Sequence, residues 1–194
     1  MEALTQDFSK TTLTELMIPS YANFGGKIHG GILLSLMDKA AYACASKHAG
    51  TYCVTVSVDQ VEFLQPVEVG ELVSLIATVS FVGNSSLVVA IKVTAENVKT
   101  HTVKHTNTSY FTMVAKGDDD RPKKVPPLLL KSMPEVKSFV EVIKRRSVKA
   151  ESEKAIDKAR TEFILEEDYH LLKGQRCEIT MSEGDEFNDL FSDT

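Results

Sequence analysis

The spacing of apolar residues changes period along this chain. Ile32, Leu33, Leu34, Leu36, Met37, Ala40, Ala41, Ala43, Cys44 and Ala45 leave little room between them for Ser35, Asp38 and Lys39. A helix that is apolar nearly all round belongs in a core. It is too short and too interrupted to be a membrane span. Ala49-Gly50 closes it. Elsewhere the period drops to two. Thr11 to Ile18 alternates as a modest first strand and stops at Pro19. Cys53 to Phe63 puts Val54, Val56 and Val58 on one side and Thr55, Ser57 and Asp59 on the other. Pro66 breaks that run, and Val69-Gly70-Glu71 makes a turn. Leu72 to Val82 is the next strand, and Gly83-Asn84-Ser85-Ser86 turns tightly into Leu87 to Ala95. Residues 97–105 are polar and read as a loop or bulge. Asn107 to Val114 is the last strand. One long helix against antiparallel strands is an α+β layout. A single curved sheet covers only part of such a rod, so a second copy is expected to complete the burial, giving at least a dimer.

After Val114 the pattern weakens. Residues 115–127 are loop-like, with Gly117, three aspartates, Arg121, Lys123, Lys124 and two prolines before Leu128. Glu135 to about Leu171 is charged and helix-prone, with a thin, broken apolar stripe that fits one long exposed helix or two short ones. The expected organisation is a body at 1–126, a charged helical extension at 127–181 and a disordered acidic tail at 182–194.

Composition adds exclusions. The chain has 194 residues, of which 43% are hydrophobic, enough for a real core. Its net charge of −5 comes from the tail: without Glu183, Asp185, Glu186, Asp189 and Asp193, the other 22 acids match the 22 Lys and Arg. Bulk charge gives no reason to expect nucleic-acid binding. No secretory signal or transmembrane stretch is visible, so no membrane partner is expected. The three cysteines have no metal-type spacing and the five histidines are scattered, so reduced thiols in the cytoplasm are expected, with no metal or redox cofactor.

The candidate chemistry sits where the glycine-rich stretch Asn23-Phe24-Gly25-Gly26-Lys27-Ile28-His29-Gly30-Gly31 opens into the apolar helix. At about 100° per residue, Gly31, Ser35, Asp38 and Tyr42 fall on one stripe. A core carboxylate is costly unless partnered, so Asp38 has a structural partner or faces a site. Glycines at a helix start let a ligand approach the backbone, and the N–H groups there bind an oxyanion or polarised carbonyl. Asp38 lies about two turns further along the same face.

These residues in this order, with Leu36-Met37-Asp38 and Val54-Thr55-Val56-Ser57-Val58-Asp59, resemble the hotdog-fold acyl-CoA thioesterases of the cytosolic and brain acyl-CoA hydrolase type. The resemblance covers roughly residues 10–126. It implies a hotdog: an antiparallel sheet of about five strands wrapped round one long buried helix and dimerised, with trimers of dimers permitted. It also implies hydrolysis of fatty acyl-CoA to free acid and CoA, coenzyme A being part of substrate and product. Two side chains carry the chemistry in such enzymes, here Asn23 and Asp38. Tandem-domain relatives keep one member of the pair per domain. This chain has both, so a homodimer would complete two sites across its interface. Asp38 would act as general base on water or as nucleophile through an anhydride, and Asn23 would orient water or the carbonyl. The N–H of Gly31, with that of Gly30, would hold the oxyanion. His29 reads as a loop hydrogen-bonding residue beside the substrate, and Thr55 and Ser57 as site-lining or solvent-facing. Asn84, Ser85 and Ser86 lie where relatives place a turn on CoA, and Arg121 could pair with its phosphates. The rival reading is a non-catalytic acyl-CoA-binding hotdog acting as sensor or scaffold. A hydratase is disfavoured because no acid–histidine pair sits at the helix.

Overall fold

The computed structural model describes residues 1–59, 61–162, 164 and 168–178, so the expected tail at 182–194 lies outside the described residues. Contacts divide the chain into two units, Met1–Ser147 and Val148–Thr194.

The first unit is built on a five-stranded antiparallel sheet, β2 (Thr11–Leu16), β3 (Cys53–Val58), β4 (Leu72–Val82), β5 (Ser86–Asn97) and β6 (Thr102–Ala115), in the order β2-β4-β5-β6-β3. Helix α2 (Gly30–Ala49) crosses its inner face. Ahead of the sheet, β1 (Leu4–Thr5) and the single turn α1 (Gln6–Ser9) lead in, and β1 pairs in parallel with β7 (Leu128–Leu129). Helix α3 (Met133–Thr161) runs past the unit boundary, and the second unit also contains a 3-10 turn at Tyr169–Leu172.

Period-two alternation sets the core. Val73, Leu75, Ala77 and Val79 of β4, the alternate residues Leu87 to Ala95 of β5, and Phe111, Met113 and Ala115 of β6 are buried against α2. Helix α2 meets them with Leu33, Leu36, Met37, Ala40, Ala41, Cys44 and Ala45. Its small residues let the helix lie close to the strands. Gly50, at φ 64°, ends the helix in the left-handed cap that glycine favours, its N–H returning to Ser46 O. Among the described residues no helix is long and apolar enough to cross a membrane.

As expected of one curved sheet, helix α2 is buried on one side only in the single chain: Gly31, Leu34, Ser35, Asp38, Lys39 and Tyr42 are exposed. A one-layer sheet covers one flank of a cylinder. The structure amends two other expectations. The stretch 97–105 is a hairpin rather than a loop, because β5 and β6 continue past a register shift at Val93/Thr94 and turn between Asn97 and Thr102. Strand β3 ends at Val58, not Phe63. Its ladder slips between Thr55 and Ser57, leaving Val56 bulged out and exposed.

Beyond the sheet's other face, Val142 of α3 packs on Val88 and Tyr110. Phe139 stacks on Phe81 at 4.9 Å, and the Arg145 guanidinium lies 4.3 Å from the centre of the Tyr110 ring.

Candidate active site

His29 caps α2. Its Nδ1 accepts the Gly31 N–H at 2.9 Å, its carbonyl accepts from Ile32, and its own N–H reaches Tyr21 O. An Nδ1 that accepts must be unprotonated, so the ring is held as the Nε2–H tautomer and serves as a helix cap. This engages the Gly31 donor expected to serve an oxyanion. Among the described residues the Gly30 N–H has no acceptor. Gly30 also meets a spatial demand: a Cβ there would sit 3.1 Å from the Phe63 ring, which the segment after β3 lays over the helix start.

Asn23 opens a tight turn. Its Oδ1 accepts from the N–H of Gly25 and of Lys27, at 2.9 and 3.2 Å, and its backbone pairs with Lys27 and Gly26. Gly26, at φ 76°, takes the left-handed position. The base of the turn is fixed to the chain after Pro66: Ile28 N–H donates to Val67 O at 2.9 Å, and Lys27 pairs with Glu68. With its carbonyl oxygen committed, Asn23 offers its amide N–H groups.

Asp38 stands on the exposed face of α2, so burial costs it little in the single chain. Thr55 of β3 donates its hydroxyl to Asp38 Oδ1 at 2.6 Å. The pair borders a cleft of about 330 Å³ with Lys39, Tyr42, Tyr52, Cys53 and Val54. Tyr42 and Tyr52 face each other at 5.9 Å and wall it. Burial raises the Cys53 thiol above its ordinary value and pushes Cys44 up to about 11, so neither is a thiolate nucleophile at neutral pH. Lys39 and Tyr52 went unread as site residues. Lys39 follows Asp38 and Tyr52 precedes β3, a proximity that only the placement of α2 beside β3 creates.

The turn Asn84-Ser85-Ser86 lies at the same end of the sheet. Asn84 O accepts from Val125 N–H and Ser85 O from Ala115 N–H. Ala115 pairs with Cys53, and Lys116 N–H reaches Tyr52 O, so the loop carrying Arg121 leaves the sheet beside the cleft. Arg121 is exposed, with Asp119 3.8 Å away. Ser57 is half-buried just past the bulge.

One chain does not bring all these groups together. Seven residues separate Gly31 from Asp38, about 10 Å along the helix axis, whereas base and oxyanion donors must each lie about 3 Å from the reacting group. Asn23, His29, Gly30 and Gly31 hold one end of α2. Asp38 and Thr55 belong to the cleft two turns on.

Residues 25–101 match the family model described as Thioesterase superfamily. Protein VdlD of Helicobacter pylori is 39% identical over 145 residues, 75% of this chain and 83% of that protein. A crystal structure of an apo-hexameric acyl-CoA thioesterase superimposes with a TM-score of 0.76 at 30% identity, covering 78% of this chain and 97% of the other. The acyl-CoA hydrolase of Staphylococcus aureus, solved with butyryl-CoA, CoA and CoA disulfide, is 29% identical with a TM-score of 0.71, covering 81% and 99%. Variants of that enzyme with an Asp, an Asn or a Thr replaced by Ala have also been solved.

Proposed function

This chain belongs to the hotdog-fold acyl-CoA thioesterases, enzymes that hydrolyse thioesters, and from that premise we propose that it cleaves fatty acyl-CoA to free acid and CoA at the Asp38–Thr55 pair. The observation that carries the reading is the 2.6 Å hydrogen bond from Thr55 to Asp38 Oδ1 at the wall of an aromatic cleft. Thr55 holds one carboxylate oxygen and leaves Oδ2 for a water. Asp38 takes a proton from that water as its oxygen attacks the thioester carbonyl carbon. The C–S bond then breaks, and the proton held by Asp38 passes to the departing CoA thiolate.

The developing oxyanion needs donors. Those at the helix start are about 10 Å from Asp38 of the same chain, so a second copy supplies them. In this reading the Gly30 N–H and the Asn23 amide of one protomer complete the cleft of its partner, in a homodimer joined along the β3 edges. Three such dimers would form a hexamer like that of the relative. Asn84, Ser85 and Ser86, with Arg121, take the CoA portion at the mouth, Arg121 pairing with phosphate. The enzyme acts in the cytoplasm.

Thiol release from CoA esters, acetyl to palmitoyl, tests the chemistry. Asp38→Asn should lower turnover by about 10²–10⁴-fold, the usual worth of a positioned base, with oligomer mass unchanged. Turnover within a few-fold of the parent removes the assignment. Mixing refolded Asn23→Ala and Asp38→Asn chains should recover about a quarter of parental activity, since half the dimers are mixed and each has one intact site. No recovery would confine each site to one chain.

A further inference from the structure

Phe24 stands clear of its own chain, its relative exposure 115%. A single exposed apolar residue is ordinary. A fully exposed phenyl ring on a turn whose backbone is fixed is a different matter. The turn that presents it is closed by both Asn23 Oδ1 bonds, shaped by Gly26 and clamped to Val67 and Glu68. A backbone fixed in this way need not be ordered again when the ring it carries inserts into another surface.

The sequence fixes what the ring accompanies. Asn23 and Phe24 are neighbours, with Cα atoms about 3.8 Å apart. If Asn23 serves the partner subunit's Asp38, the reading on which this inference rests, Phe24 arrives at the same cleft. That cleft is open on one side and already walled by two aromatic rings, Tyr42 and Tyr52. We propose that Phe24 is a specificity-determining residue: its ring, carried by one protomer, closes the cleft of the other and forms the wall against which a straight acyl chain lies. The occupant is thus a second copy of this chain, and the ligand class is the unbranched acyl group of the thioester.

The test uses the full-length oligomer with Phe24→Ala and the milder Phe24→Leu. Oligomer mass is measured by light scattering, and kcat/KM across straight-chain CoA esters from acetyl to palmitoyl. Mass should be unchanged. The ratio of kcat/KM for long over short chains should shift by about tenfold or more in Phe24→Ala and less in Phe24→Leu, because removing a pocket wall alters discrimination between substrates differing by methylenes. An unchanged ratio overturns the proposal. So does dissociation of both variants to single chains, which would make the ring an assembly anchor only. Failure of the underlying reading looks different: the parent then releases no thiol, or Asp38→Asn releases it as fast as the parent, and both proposals fall.

Discussion

The two long helices of this chain meet the sheet on different terms. Nine residues of α2 are buried, mostly alanines and compact aliphatics that let its backbone press onto the strands. Helix α3 buries Val142 alone and otherwise holds the opposite face by the tips of long side chains: Phe139 on Phe81, Arg145 over Tyr110, Arg146 over Phe81, Glu141 on the Tyr110 hydroxyl. Backbone proximity fixes a helix far more firmly than side-chain reach. Asp38 and the Gly30 N–H, the proposed base and oxyanion donor, ride on the helix that is fixed, as precise placement of a site requires.

The sharpest way to break this contrast is to enlarge one alanine on each helix. Ala45→Leu, at a site with no exposure, should cost about 1–3 kcal/mol or more by overpacking, read by urea denaturation. Ala155→Leu on the exposed stretch of α3 should stay within about 0.5 kcal/mol. Equal losses would erase the distinction. Acid titration probes the next effect. His48, buried near the end of α2, contacts the Ser9 hydroxyl with Nδ1 and Pro126 O with Nε2, and burial lowers its pKa below the ordinary 6.5. The unfolded chain therefore binds a proton that the fold refuses. Stability from this source is complete above about pH 6.5. It then falls with acidification, by at most about 1.4 kcal/mol per pH unit for one proton, until the folded ring titrates too. His48→Gln should flatten that limb, and a parental profile level from pH 7.5 to 5.5 would refute it. On α3, Arg145 and the Tyr110 hydroxyl hold Glu141 below its ordinary carboxylate value, so its contribution is lost only as pH falls below about 4.5, and weakly because the pair is half exposed. Val142→Ala, which trims the one buried residue of α3, should cost about 1–2 kcal/mol. Amide exchange in residues 135–147 should quicken while that of α2 is unchanged. Quickening in both would show that the two helices open together.

Much of this architecture was legible because it follows from local chemistry. Strand Leu72–Val82 reads directly from its alternation, and α2 from its apolar run closed by Gly50. What escaped depended on pairing. The start of β6 at Thr102 looked like loop because Lys104 and His105 are polar, yet the shift at Val93/Thr94 lets the ladder continue past them. The β1–β7 pair is two residues long on each side and leaves no periodic signal. Asp38 could be singled out by its place on an apolar helix, and Thr55 only as a possible liner. Their hydrogen bond depends on how β3 is set beside α2. The engagement of Gly31 by His29 was also hidden, because a histidine before two glycines does not announce itself as a cap.

The bulge at Val56 has a consequence for growth. Strand β3 is an outermost strand, and a straight outermost strand is an open invitation to fibre formation. One displaced residue kinks the row of main-chain donors and acceptors, so a neighbour can zip along only a few rungs before the rows part. Association at this border is therefore self-limiting: it can end in a finite particle and does not template an endless ribbon.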